Sequence, residues 1–291
     1  MDFGRLLTAM VTPFDDNLNI DYGRLDTLIE HLISTGTTTL VVSGTTGESP
    51  TLTHEEKLAL FKYVVERAAG RVKVVAGTSS NSTQASVSLS QAAEAAGVDG
   101  LLLVVPYYNK PSQEGMYQHF KAIAESVKIP CILYNIPGRT GVNMTSDTTL
   151  RLAEIDNIVA TKESSGDFNQ ISEITSAAPQ DFKVYSGDDY LTLPMLSIGA
   201  YGIVSVASHV VGSEMTEMIH AFVAGRVEEA SALHAKLLPI FQGLFLSTNP
   251  TLVKEALNMS GIPVGGVRLP LVAAEPELVE EVGKRLRSIK G

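Results

Sequence analysis

Eight short apolar runs, each parted from the next by a stretch of helical periodicity, constrain this chain more than any other feature. They fall at Leu6–Met10, Thr39–Ser43, Lys73–Gly77, Leu101–Val105, Cys131–Tyr134, Ile158–Lys162, Lys183–Ser186 and Ile203–Val206. Each is apolar nearly throughout rather than alternating with polar residues, the pattern of parallel strands covered on both faces. Between the first two, Leu25, Leu28, Ile29, Leu32 and Ile33 share one face of a helix. Thr53, followed three residues on by Glu56, marks the capped start of the next. The segments STGTTTLVV, AAGVDGLLLV and SIGAYGIVSV repeat one form: a helix end, a glycine (Gly36, Gly97, Gly199), a turn and a strand.

Eightfold alternation predicts an α/β fold closed into a (β/α)8 TIM barrel. An open doubly wound sheet is the alternative, but it would want a G-x-G-x-x-G after an early strand, and the chain has none. After Val206 only helical patterns remain, at Ser213–Ala224, Val227–Leu246, Pro250–Ser260 and Pro276–Ile289. The first completes the barrel and the others form a C-terminal helical extension. The expected division is therefore a barrel catalytic domain over 1–225 and a helical domain over 226–291. The chain's 291 residues suit that plan, since such barrels take about 250.

Charge narrows the partners. A net charge of −10 argues against nucleic acid, whose phosphates need basic patches, and against an anionic membrane surface. It leaves anionic small molecules open, because a few local donors overcome a diffuse field. No apolar run approaches the roughly 20 residues of a membrane span, and the first fourteen residues lack the pattern of a secretory signal. The expected location is the cytoplasm. The single cysteine, Cys131, sits in the apolar run IPCILYNI and reads as a small core residue. The six histidines show no H-x-H or H-E-x-x-H spacing, so no metal site is expected.

In α/β barrels the active site lies at the carboxyl ends of the strands. Those ends read SGTTGESP, PYYNKP, YNIPGRTG, KESSGD and SGDD, the polar and glycine-rich positions of the chain. Lys162 closes the otherwise uncharged run IVATK. An ordinary lysine leaves about one amine in two thousand neutral at pH 7; burial raises that fraction and frees the amine to attack a carbonyl. A lysine salt-bridged at the strand end is the plainer reading. Tyr134 ends the neighbouring strand and could shuttle protons beside such an amine, or simply place its hydroxyl at the core edge. Glu163 should face the other way and be structural. Gly44-Thr45-Thr46-Gly47-Glu48 can offer N–H groups and hydroxyls to a carboxylate, or be a plain tight turn. Arg139 has the planar fork that suits a carboxylate, and as readily reads as a surface arginine. Tyr107 and Tyr108 form an aromatic pair that by itself reads as an interface.

Taken together, GTTGES, PYYNKPSQEG, YNIPGRTG, the strand-end lysine in KESSG, SGDD and the tail segment NPTLVKEAL resemble the dihydrodipicolinate synthase family. That family belongs to the pyruvate-dependent lyases, which include N-acetylneuraminate lyase, and the resemblance spans nearly the whole chain. It implies that Lys162 forms a Schiff base with pyruvate and that Tyr134 gives and takes the proton. Thr45 and Tyr108 would complete a relay, with Tyr108 reaching in from a neighbouring subunit of a homotetramer. Thr46 would bind the pyruvate carboxylate, Gly187 and Val204 would line the pocket, and Arg139 would meet the carboxylate of aspartate semialdehyde. No cofactor is implied, because the imine itself is the electron sink. Lysine-sensitive members resemble a pattern with an asparagine and an acidic residue four positions later. Asn81 and Tyr107 are present here, but Ala85 takes the acidic position and Pro50 and Lys57 also depart. Inhibition by lysine is therefore expected to be weak or absent.

Three other readings stay open on sequence: a pyruvate-dependent aldolase for a sugar acid such as N-acetylneuraminate, a barrel without catalysis, and a sugar-phosphate enzyme. The last lacks a phosphate motif after the late strands.

Overall fold

The computed structural model describes residues 2–290 of the chain, so the end residues of the two expected segments, 1 and 291, lie outside it. Eight strands form a closed parallel barrel in chain order. They are β1 (Leu6–Ala9), β2 (Thr39–Val42), β3 (Lys73–Gly77), β4 (Gly100–Val104), β5 (Cys131–Asn135), β6 (Ile158–Glu163), β7 (Lys183–Ser186) and β8 (Gly202–Ser205). All eight expected runs are strands, with ends within a residue. β5 and β6 each run one residue past expectation because the ladder continues through Asn135–Glu163 and Glu163–Ser186.

The absence of polar alternation has a direct cause. Along each strand, one set of side chains fills the barrel and the other packs under the helices. Leu7, Val41, Val75, Leu102, Ile132, Tyr134, Ala160, Tyr185 and Val204 form the inner cluster. Leu6, Leu40, Val42, Val74, Leu101, Leu103, Leu133 and Ile203 belong to the outer cluster with the helices. Both sets exclude water, so both must be apolar.

Helix Tyr22–Ser34 buries Leu25, Leu28, Ile29 and Leu32 as its periodicity predicts. Helix His54–Ala68 opens on the expected capping box between Thr53 and Glu56. Gly36, Gly97 and Gly199 all take positive φ, between 88° and 100°, where a side chain would strain the backbone.

The helix after β8 starts earlier than expected, at Ser208 rather than Ser213, and runs to Val223 with a kink at Val211. Its start is capped from outside. The Asp189 carboxylate accepts from Val206 N and Ala207 N at 3.2 and 3.0 Å, and Ser205 Oγ accepts from Ser208 N at 2.8 Å. Beyond it lie helices Val227–Gly243, Thr251–Met259 and Pro276–Lys290. No helix among the described residues is long and apolar enough to cross a membrane.

His209 ties the two edges of the barrel's closure together. Its Nε2 accepts from Val11 N at 3.1 Å, so the ring is neutral, and Nδ1 donates to Val206 O at 2.7 Å. Burial, reinforced by the nearby His31, holds its pKa down at about 4. The unfolded chain therefore takes up a proton that the folded one refuses, and stability present above about pH 6.5 is lost as pH falls through about 4. Urea unfolding across pH 7 to 4 is expected to show this decline. His209→Asn, which cannot titrate, should be less stable at pH 7 and show a shallower acid slope.

Candidate active site

The side chains singled out at the strand ends converge because of strand parity. Residues two apart on a strand face the same way. Tyr134 follows the inward Ile132, Lys162 follows the inward Ala160 and Gly187 follows the inward Tyr185. Tyr134 and Lys162 are also direct partners in the β5–β6 ladder. The result is an amine lodged inside the barrel mouth, with Lys162 Nζ 4.2 Å from the centre of the Tyr134 ring. Both residues are only 5% exposed. Gly187 is glycine for want of space: a Cβ there would lie 2.8 Å from Lys162 Cε and collide with Ser164 Oγ. Val204 is fully buried in the inner cluster below.

Glu163 points the opposite way, as expected. It is buried outside the barrel, where its carboxylate accepts from Asn135 Nδ2 at 3.1 Å, Gln170 Nε2 at 3.3 Å and Ser165 N at 2.8 Å. That network fixes the strand end carrying Lys162 without touching the amine.

Burial is the main cause of the electrostatics here. It pulls the Lys162 pKa from the usual lysine range to about 8, with Asp188 and Asp189 pushing back up and Arg139 pulling further down. Burial also raises the Tyr134 phenol above its ordinary value, opposed by Arg139 and by the hydroxyls of Ser164 and Thr45. Over the neutral range, the amine is thus partly free and the phenol keeps its proton. Asp188, its own carboxyl pushed up by burial but drawn down by Lys162, balances the amine. Neither Asp188 nor Ser164 stood out from sequence; SGDD and KESSG marked strand ends but not which residues turn inward.

A cavity of about 400 Å³ opens on the Tyr134 side of this pair; Tyr134 lines it, whereas Lys162, Thr46, Gly187 and Val204 do not. Gly44, Thr45, Tyr134 and Arg139 line it, as do Tyr107, His54 and Lys57. Arg139 is carried by the one-turn helix Pro137–Thr140, which follows β5 directly. Thr46 is buried in the turn after β2, its Oγ1 accepting from Asn249 Nδ2 at 2.9 Å. Tyr108 is not brought to the site within one chain. It is 88% exposed, with φ 72°, and its ring stands clear of the cavity wall.

A closed (β/α)8 barrel that holds a desolvated lysine amine against a phenol at its carboxyl end has the architecture of an imine-forming lyase. The chain belongs to the dihydrodipicolinate synthetase family, whose model matches residues 2–289. It is 59% identical over 277 residues to 4-hydroxy-tetrahydrodipicolinate synthase 1 of Halalkalibacterium halodurans, covering 95% of this chain and 94% of that one. Its structure is similar to that of a dihydrodipicolinate synthase from Bacillus anthracis, with 55% identity, a TM-score of 0.98 and 99% of each chain covered. It is also similar to the enzyme from Cyanidioschyzon merolae with lysine bound, at 45% identity and a TM-score of 0.97, covering 99% of this chain and 98% of that one.

With the Lys162 pKa at about 8, trapping a 2-oxo acid on the amine with borohydride should speed up about fivefold between pH 7 and 8 and level off above about pH 9. Asp188→Asn removes the charge that favours the ammonium form. It should move this rise to lower pH, read from the same trapping profile.

Proposed function

We propose that this chain condenses pyruvate with L-aspartate 4-semialdehyde through a Schiff base on Lys162, giving 4-hydroxy-tetrahydrodipicolinate in lysine and diaminopimelate biosynthesis. The observation that carries this reading is the buried Lys162 amine beside the Tyr134 phenol. Family membership and the closeness of the relatives narrow it from imine chemistry in general to this reaction.

The neutral Lys162 amine adds to the keto carbon of pyruvate, and water leaves to give the iminium. Tyr134 supplies and recovers the protons, with Thr45 beside it in the relay. The iminium nitrogen draws electrons from the methyl group, which loses a proton to become an enamine carbon. That carbon attacks the aldehyde, and the aldehyde oxygen takes up a proton. The substrate's own amine then displaces Lys162 from the imine carbon, closing the ring and restoring the enzyme. The imine does the work of an electron sink, so the cycle needs no cofactor.

Thr46, Gly187 and Val204 form the pyruvate pocket in this scheme, and Arg139 receives the carboxylate of the aldehyde. Tyr108 completes the relay from a neighbouring subunit, which its exposed position on a left-handed turn suits. A homotetramer in the cytoplasm is the assembly this assumes, and its partners are small molecules rather than nucleic acid or membrane. Residues 1–225 act as the catalytic barrel and 226–291 as its helical domain.

Lysine should inhibit weakly. The cavity wall beyond Thr45 is built from Ser49, Pro50, His54, Lys57, Ala85 and Tyr107, and among the described residues no carboxylate lines the cavity. An effector ammonium would find no counter-charge there and would meet Lys57.

Turnover of the two substrates, coupled to the following reductase and read as NADPH loss, is the direct test. Rapid loss with no cleavage of N-acetylneuraminate is expected; the reverse would overturn the assignment. Lys162→Ala should abolish the borohydride adduct. Arg139→Ala should lower kcat/KM for the aldehyde by about a hundredfold while leaving imine formation with pyruvate largely intact. Sub-millimolar lysine should leave the rate unchanged.

A further inference from the structure

The turn carrying Thr45 and Thr46 is held from the far end of the chain. Glu48 sits in the left-handed region at φ 56°. Its carboxylate is in an ion pair with Lys254 at 2.6 Å, each side chain 1% exposed. The second carboxylate oxygen accepts from Arg268 N at 2.9 Å. Lys254 Nζ also donates to Gly266 O at 2.6 Å and lies 4.1 Å from the centre of the Phe14 ring. The Arg268 guanidinium donates to Thr51 O at 2.9 Å and to Glu56 at 2.6 and 2.8 Å. From the barrel side, Thr12 Oγ1 donates to Gly47 O at 2.7 Å. A buried ion pair of this kind gains little net stability over an apolar pair, but it fixes geometry, because either charge left alone is costly.

Five residues before Lys254, whose N donates to Pro250 O at 3.1 Å, Asn249 is 6% exposed and donates through Nδ2 to Thr46 Oγ1 at 2.9 Å. A hydroxyl whose oxygen already receives a hydrogen bond keeps its own hydrogen for another acceptor. We propose that Asn249, held in place by the Glu48–Lys254 clamp, is a positioning residue that aims the Thr46 hydrogen at the carboxylate of the 2-oxo acid. The inference rests on the reading above, in which Thr46 receives that carboxylate. It makes the segment 249–268 part of the substrate-recognition machinery, acting through Thr46 and not by contact with the substrate. Without Asn249 the Thr46 hydroxyl is free to rotate, and its donation to the anion is lost for part of the time.

The test is the pyruvate dependence of borohydride trapping on Lys162 in the full chain, with pyruvamide as the neutral counterpart of pyruvate. Asn249→Ala should raise half-saturating pyruvate about tenfold and leave that for pyruvamide unchanged. Turnover at saturating pyruvate should stay within about twofold. Thr46→Val should raise half-saturating pyruvate likewise, and the double variant should lose no more than either single one. Should the alanine variant not fold, Asn249→Ser is expected to show the same non-additivity with Thr46→Val. Additive losses, or equal losses for pyruvate and pyruvamide, would show that Asn249 merely packs and would overturn the inference alone. No adduct on Lys162 in the unaltered chain would overturn the reading of the site itself, and this inference with it.

Discussion

An ammonium ion taken out of water costs several kcal/mol unless something replaces the solvent, and Lys162 is taken out of water with no ion pair of its own among the described residues. The apolar, closed barrel interior beneath imposes that cost, while Tyr134 offers the face of its ring and Asp188 and Asp189 supply a diffuse negative field against it. The balance is incomplete, so the proton is held loosely. A tight carboxylate partner would have made a better structural lysine and a poorer nucleophile. Glu163, the residue next along, has a carboxylate that could have served, and strand parity keeps it on the other side of the wall.

The barrel was legible because burial on both faces leaves a mark that needs no long-range information: a run of apolar residues of strand length. The same holds for the capping box at Thr53 and for the glycines after the helices, which are local demands of backbone geometry. Lys162 and Tyr134 could be singled out as polar groups at the ends of apolar strands, each with a plainer reading beside it; their roles, and that of Arg139 in the turn after β5, came from the resemblance. The start of the helix after β8 was not legible, because its cap comes from Asp189, in the short 3-10 helix after β7. Nor was the role of Gly187 visible from residue type: only the packed structure shows that Lys162 Cε occupies the space a side chain would need.

What no local pattern carries is pairing across the length of the chain. Glu48 and Lys254 are 206 positions apart and Thr46 and Asn249 are 203 apart. Nothing in the residues around either member of a pair names its partner. Tyr108 is the opposite case, a side chain whose place within one chain explains nothing about it, being exposed, aromatic and on a left-handed turn.

The one cysteine, Cys131, opens β5 at the end of the barrel away from the site. It is fully buried, and burial pushes its thiol up to about 12. Thiolates are the strongest nucleophiles a protein ordinarily offers to aldehydes and other electrophiles. A barrel that works on a reactive carbonyl therefore exposes no cysteine thiol to it. Adduct formation is left to an amine tuned by the fold.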